Sequence, residues 1–110
     1  MSKVFITQEN SNFNYVPAED FGTLVFMTSL EFSKYKDSQI NKNILATIKA
    51  QIDKFNPKTD YVLLSGSPVV NGAVFLALGE KFGFSEEINI LKWSNRDGVY
   101  QTMTINFSNC

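Results

Sequence analysis

The chain has 110 residues and a net charge of −1, and Arg96 is the only arginine among its ten basic residues. Because phosphate binding usually requires a basic face, this balance argues against nucleic acid as the main partner. The chain has no histidine, and its single cysteine is the last residue, Cys110, which excludes an intramolecular disulfide and a thiolate metal cluster. A hydrophobic fraction of 44% with 19% charged residues predicts one folded domain over residues 1–110.

The sequence has no recognisable targeting, membrane or cofactor-binding segment. Residues 1–12 lack the apolar core of a signal peptide, and no apolar run approaches the length that spans a bilayer. We therefore expect a soluble protein of a reducing compartment. Neither a metal-ligand spacing nor a phosphate-loop pattern such as Gly-x-x-x-x-Gly-Lys-Ser/Thr occurs, so we predict no metal and no cofactor.

The first third of the chain alternates short apolar runs with polar connections. Residues 3–7 are short and β-prone, and we expect an edge strand or a strap over the domain, with a flexible arm as the alternative. Pro17 is followed closely by two acids, which predicts one helical turn. Residues 22–29 form an unbroken apolar run of the kind found in strands covered on both faces, so we predict the central strand here.

A helical period begins at Ser38. Apolar residues then recur every three or four positions and predict one buried stripe, formed by Ile40, Ile44, Ile48, Ile52 and Phe55. Asp37 or Ser38 would cap this helix, and Asn56-Pro57 would end it.

A strand, a tight turn and a buried helix follow one another in the middle of the chain. Residues 61–64 are uniformly apolar, and the sequence Ser-Gly-Ser-Pro at 65–68 interrupts them. The proline suits the first turn of a helix and the serine before it suits the cap. The helix predicted over 69–82 is apolar on almost every side before Gly83 ends it. The three elements together predict half of a βαβ unit.

The last predicted elements are a strand over 87–93 and an alternating, half-exposed edge strand over 99–107, joined by an Asp-Gly hairpin turn. The predicted order is β-β-α-β-α-β-β. With the first long strand between the other two, right-handed crossovers would place the two helices on opposite faces of the sheet. The predicted fold class is therefore α/β: a small three-layer sandwich with a mostly parallel sheet and a C-terminal antiparallel hairpin.

A candidate ligand site lies beyond the carboxyl ends of these strands, where ligands of open parallel sheets collect. The turn at 65–68 brings backbone N–H groups and two hydroxyls to a helix N-terminus, which is the local chemistry of an anion site for phosphate or a nucleotide. Two lysines of the loop at 30–37 would supply countercharge. The candidate site consists of Ser65, Gly66, Ser67, Asn71, Lys34 and Lys36. In the alternative interpretation, the glycine only makes the turn and the serine only caps the helix.

Catalysis has little support. Without histidine or an internal cysteine, a hydrolase would need a carboxylate pair, a Ser–Lys pair or a bound metal. The loop carboxylates show no recognisable metal spacing; they are Asp20, Glu31, Asp37 and Asp97. We therefore assign no catalytic residue and favour a non-enzymatic protein.

The helix predicted over 69–82 is too apolar to have a side exposed to solvent. A helix that is apolar on most sides is normally buried on most sides, so either the first 20 residues of the chain or a second chain would cover its outer side. The second alternative predicts self-association or docking onto a protein partner. Trp93, Tyr100 and Tyr35 are candidates for a recognition surface, because interface hot spots are enriched in such residues. The alternative is that these aromatic residues belong to the core.

The C-terminal half resembles small, uncharacterised α/β proteins encoded by tailed bacteriophages. The residues that carry the resemblance are Leu64-Ser65-Gly66-Ser67-Pro68 and Leu91-Lys92-Trp93, followed by Tyr100; Ser94 stands where an aspartate is more usual. The resemblance implies a viral origin and no particular activity.

Two functions remain open from the sequence. The first is a non-enzymatic phage-type accessory protein that binds a protein partner or assembles with itself, as a modulator of a host factor or as a virion component. Its location would be the host cytoplasm or the virion. The second is a binding protein for a small ligand, phosphate or a nucleotide, which would sequester or cleave that ligand at residues 65–68.

Overall fold

A five-stranded mixed sheet forms the centre of the domain. The computed structural model describes residues 1–109, so Cys110 lies outside the described residues. The strands are β1 (Lys3–Ile6), β2 (Thr23–Phe26), β3 (Tyr61–Leu63), β4 (Ile88–Ser94) and β5 (Val99–Ile105), in the spatial order β2-β1-β3-β4-β5. The first four run parallel, and β5 pairs antiparallel with β4. The α/β class, the mostly parallel sheet and the C-terminal antiparallel pair are confirmed.

Two α-helices and two 3₁₀ turns complete the fold. The helices are α1 (Gln39–Ile52) and α2 (Pro68–Phe82), and the turns are Val16–Asp20 and Phe107–Asn109. Within residues 1–109, no helix has the length and apolar character needed to cross a membrane.

Both helices begin at a predicted cap and α2 ends at the predicted glycine, but α1 ends at Ile52, before the Asn56-Pro57 pair that was predicted to end it. Ser38 caps α1 by accepting the N–H of Ile40, and Ser67 caps α2 by accepting two N–H groups. Gly83 ends α2 with a positive φ of 66°. The stripe predicted in α1 is buried from Ile44 onward, whereas Ile40 lies exposed at the first turn.

Strand β1 is an inner strand of the sheet and β2 is an edge strand, which corrects the sequence interpretation. Val4, Phe5 and Ile6 are fully buried between β2 and β3, whereas β2 lies at the edge of the sheet. A fully buried apolar side chain of this size contributes about 1.5–3 kcal/mol relative to exposure, so an edge position would lose several kcal/mol. The longer apolar run at 22–29 misled the prediction, because only four of its residues pair in the sheet.

The position of β1 also changes the layers. Both helices pack on the face that carries Phe5 and Val62, and they contact each other there. From β2 through β3 to β4 the chain moves in one direction across the sheet, and right-handed crossovers in one direction place both helices on one face. The expectation of helices on opposite faces was therefore wrong.

The third layer is the connection from β1 to β2, which we call the N-terminal segment (residues 7–22). This connection moves across the sheet in the opposite direction and lies on the other face. Tyr15 and Ala18 of this segment are buried there against Val4, Ile6 and Leu63. The sandwich therefore has three layers, but a 3₁₀ turn replaces a helix in one of them.

Asp60 anchors the start of β1 to the loop before β3. Its buried carboxylate accepts the backbone N–H of Lys3 at 2.9 Å, the backbone N–H of Asn56 at 2.8 Å and the hydroxyl of Thr59 at 3.1 Å. Both carboxylate oxygens are used, so Asp60 ties the first residue of β1 to the loop at residues 56–60.

We predict that Asp60→Asn lowers the free energy of unfolding by about 1–3 kcal/mol, because the amide nitrogen replaces one acceptor and leaves a buried N–H without a partner. Urea denaturation at neutral pH measures this loss. The matched control is Asp20→Asn, which removes an exposed carboxylate and should change stability by less than about 0.5 kcal/mol. Equal effects of the two variants would contradict the anchoring role.

A second prediction concerns the close approach of two backbones. A Cβ at Gly22 would lie 2.4 Å from the carbonyl oxygen of Ser2, so Gly22→Ala must displace the backbone and should cost about 1–3 kcal/mol in thermal or urea unfolding. A Cβ at Gly72, inside α2, meets nothing within 4 Å, so Gly72→Ala should instead stabilise the protein by up to about 1 kcal/mol. A stable Gly22→Ala protein would contradict this packing.

Candidate functional site

A polar cleft of about 510 Å³ opens beyond the carboxyl ends of β1, β3 and β4. This is the edge of the sheet where the sequence predicted a ligand site. The cleft is lined by side chains and backbone of Gln8, Asn10, Phe13, Tyr15, Glu31, Leu63, Leu64, Ser65, Gly66, Ser67, Asn71, Trp93 and Tyr100. Four of these residues are aromatic, and no lysine or arginine is among them.

The backbone of the turn at residues 65–68 is fixed by neighbouring side chains. The Thr7 hydroxyl, fully buried at the end of β1, accepts the N–H of Ser65 at 3.0 Å. Its own proton faces the Asn71 Oδ1 at 2.6 Å and the Ser65 carbonyl at 3.0 Å. The Asn71 amide donates in turn to the carbonyls of Ser65 (3.0 Å) and Ser67 (2.7 Å). Asn71 therefore holds the turn with hydrogen bonds at both ends of its amide.

Gln8 fixes the same turn from the other side. Its Oε1 accepts the N–H of Ser67 at 2.6 Å, and its Nε2 donates to the carbonyl of Leu30 at 3.0 Å. Gly66 has a φ of +74°, and a Cβ there would lie 2.0 Å from the Gln8 Oε1. The turn therefore requires glycine for its backbone conformation and for the space that Gln8 occupies.

These hydrogen bonds use most of the donors that an anion would need. Gln8 takes the N–H of Ser67, and the Ser67 hydroxyl takes the N–H groups of Val69 (3.1 Å) and Val70 (3.4 Å). Among residues 1–109, the Gly66 N–H has no hydrogen-bond partner.

The two predicted countercharges lie elsewhere. Lys34 and Lys36 are exposed and do not line the cleft, and the Lys34 Nζ lies 5.3 Å from the centre of the Tyr35 ring. Of the predicted site residues, the structure brings together the three residues at 65–67 and Asn71. The two lysines are separate from this group.

The N-terminal segment supplies a buried wall of the cleft. The Tyr15 hydroxyl lies 2.6 Å from the Ser65 Oγ and accepts the N–H of Asn10 at 2.8 Å. Sequence reasoning missed Gln8, Asn10 and Tyr15 as site residues. Gln8 directly follows β1. Because ligands bind beyond the carboxyl ends of inner parallel strands, Gln8 would have been predicted if β1 had been placed inside the sheet.

Trp93 and Tyr100 form the wall contributed by β4 and β5. Their ring centres are 4.9 Å apart in an edge-to-face arrangement, and the Trp93 Nε1 donates to Asn95 Oδ1 at 2.9 Å. Burial raises the pKa of the Tyr100 phenol above its ordinary value of 10, and the nearby Tyr15 phenol adds to this. Tyr35, the third aromatic residue predicted for a recognition surface, is exposed and lies outside the cleft.

The polar side chains of the cleft are mostly uncharged. Within the described part of the chain, no group of three or more Asp, Glu, His or Cys side chains is placed to hold a metal ion. Ser65 has Tyr15 as a hydroxyl neighbour, and no amine or carboxylate bonds to either hydroxyl. The arrangement offers hydrogen bonds and aromatic surface to a ligand.

Comparison with known proteins extends the resemblance seen in the sequence. A family described as Phage Pam3 gp32-like protein matches residues 2–107, which include all five strands and every residue that lines the cleft. No curated protein and no solved structure matches the chain significantly. The phage origin inferred from the C-terminal half is confirmed over almost the whole chain, and the protein belongs to the Phage Pam3 gp32-like protein family.

Proposed function

We propose that this phage protein is a non-enzymatic accessory protein that acts by protein–protein binding, and that the protein it binds is a second copy of itself. The single observation that carries the proposal is an uncharged edge strand, β5, beside an apolar groove. A symmetric pair would cover both features at once.

The apolar groove has a volume of about 430 Å³ and lies between α2 and the β4–β5 hairpin. Its lining includes Leu76, Gly79, Phe84, Ile88, Ile105 and Phe107. The Leu76 side chain is 78% exposed, and the rings of Phe84 and Phe107 contact each other edge to face with centres 5.6 Å apart. Contiguous exposed apolar surface of this kind is typical of protein interaction sites.

The topology explains why the groove is open. The two helices cover the centre of the sheet, and the N-terminal segment packs on the opposite face, against Val4 and Ile6. The sequence left two candidates to cover the outer side of α2, the N-terminal segment and a second chain. The N-terminal segment does not cover it, because it packs on the other face of the sheet. This supports the alternative, a second chain.

Strand β5 has the properties of a strand that can pair further. It pairs with β4 in a continuous register without a bulge, and its sequence, VYQTMTI, contains no charge and no proline. Edge strands of monomeric proteins are usually protected by lysines, prolines or bulges. Because β5 has none of these, its free edge can accept another strand by β-augmentation.

Met103 and Ile105 of β5 lie on the face of the sheet that carries the groove, and Ile105 lines it. Met103 pairs with Ile90 and Ile105 pairs with Ile88, and direct cross-strand partners share one face of the sheet. Antiparallel pairing of β5 with β5 of a second copy would join the two sheets and bring the two apolar rows side by side. Such an interface is symmetric, and β5 contributes no charge to it; the charged residue that lines the groove is Glu86.

We predict that the protein forms a dimer and that Met103→Lys disrupts it, because the lysine places two like charges close to the symmetry axis. The dimer should be weakened at least tenfold, which corresponds to about 1.4 kcal/mol. Light scattering coupled to size exclusion, over a concentration series, measures the mass and the affinity.

The matched control is Leu45→Lys. Leu45 lies on α1, away from β5, and its 42% exposure is close to the 44% of Met103, so this variant should remain a dimer. Circular dichroism establishes that both variants are folded. A wild-type protein that stays monomeric at every concentration would overturn self-binding, and equal dimerisation of the two variants would overturn the assignment to β5.

A further inference from the structure

The hydroxyl of Tyr100, a largely buried side chain in the polar cleft, has no hydrogen-bond partner among the described residues. Tyr100 is only 8% exposed, yet its hydroxyl makes no hydrogen bond with any residue described. Every fully buried side-chain nitrogen or oxygen of residues 1–109 has a partner, so the unpaired phenol must reach the open space that Tyr100 lines, which is the cleft. The hydroxyl is therefore accessible from the cleft, where a ligand can form a hydrogen bond with it.

The ordinary pKa of a phenol lies far above neutral pH. Burial raises the pKa of Tyr100 further, and the Tyr15 phenol acts in the same direction. The phenol is therefore neutral at physiological pH and can both donate and accept a hydrogen bond.

The charges around the cleft favour a ligand without net charge. Glu31 is the only Asp, Glu, Lys or Arg residue in the lining, and the positive end of the α2 dipole faces the same space. The carboxylate opposes a phosphate, and the helix end opposes a cation. Gln8 and the Ser67 hydroxyl already cap that helix end, which further reduces its attraction for anions.

The remaining free groups suit the edge of a planar heterocycle. They include the Tyr100 hydroxyl, the Gly66 N–H, the side-chain N–H groups of Asn10 and one Glu31 oxygen, since the other Glu31 oxygen accepts the N–H of Phe32. The rings of Phe13 and Trp93 supply aromatic surface beside these groups, and bases stack on such surface. The volume of 510 Å³ is within the usual range for small-molecule sites.

We propose that the cleft binds an uncharged nucleoside through its base, with the Tyr100 hydroxyl bonded to the base edge. This site is on the opposite face of the sheet from the apolar groove and does not depend on self-association. It also revises the class of ligand expected from the sequence, because the base and not a phosphate would be recognised.

The test uses Trp93, the single tryptophan of the chain, as a reporter inside the cleft. The wild-type protein is titrated with adenosine, guanosine, cytidine and uridine, and tryptophan fluorescence and saturation-transfer NMR are followed. At least one nucleoside should bind, and its 5′-monophosphate should bind no more tightly. Absence of binding by all four would overturn the proposal, as would a monophosphate that binds at least tenfold more tightly than its nucleoside.

Tyr100→Phe removes one oxygen atom and should weaken binding about three- to tenfold, the usual effect of one neutral hydrogen bond. Tyr35→Phe removes the same atom from an exposed ring outside the cleft and should leave the affinity unchanged. Glu31→Gln, on an exposed loop, gives a second test that does not perturb the core, and it should also weaken binding. If neither Tyr100→Phe nor Glu31→Gln changes the affinity, or if hexoses bind in place of nucleosides, the proposal is wrong.

Discussion

The enclosure of β1 between β2 and β3 is the constraint on which the rest of this fold depends. With β1 between β2 and β3, the crossover from β1 to β2 runs one way across the sheet, and those from β2 to β3 and from β3 to β4 run the other way. Because parallel crossovers are right-handed, these directions decide which element covers which face of the sheet. Both helices lie on one side, and the N-terminal segment lies on the other. The polar cleft and the apolar groove are consequences of this division.

The cleft also depends on β1 in its chemistry. Thr7 and Gln8 follow this strand directly, and their side chains hold the backbone at residues 65–68. The turn at residues 65–68 resembles an anion site in sequence, but most of its N–H donors already form hydrogen bonds within the protein. The same turn in another setting, with its N–H groups free, would have different binding chemistry.

Features fixed by neighbouring residues were predictable from the sequence. Ser67 and Pro68 begin α2, Gly83 ends it, and the Asp-Gly pair marks the last hairpin, because each of these depends on local backbone geometry. The position of β1 was not predictable in this way. A strand of four residues is too short to reveal by its pattern whether one or both of its edges are paired, and the roles of Gln8 and Tyr15 depend on that position.

Strand β1 is separated from its neighbour β3 by a long stretch of chain, and this affects the order in which the sheet can assemble. The partner of Ile6 in β3 is Leu63, so the whole chain from residue 6 to residue 63 must be closed into a loop before the two pair. During synthesis, β1 can pair only with β2 until β3 emerges, and its three apolar side chains stay without their final cover. Pairings of such long sequence separation are slow to form because loop closure precedes the contacts that stabilise them, so late insertion of β3 beside β1 would control the rate of folding.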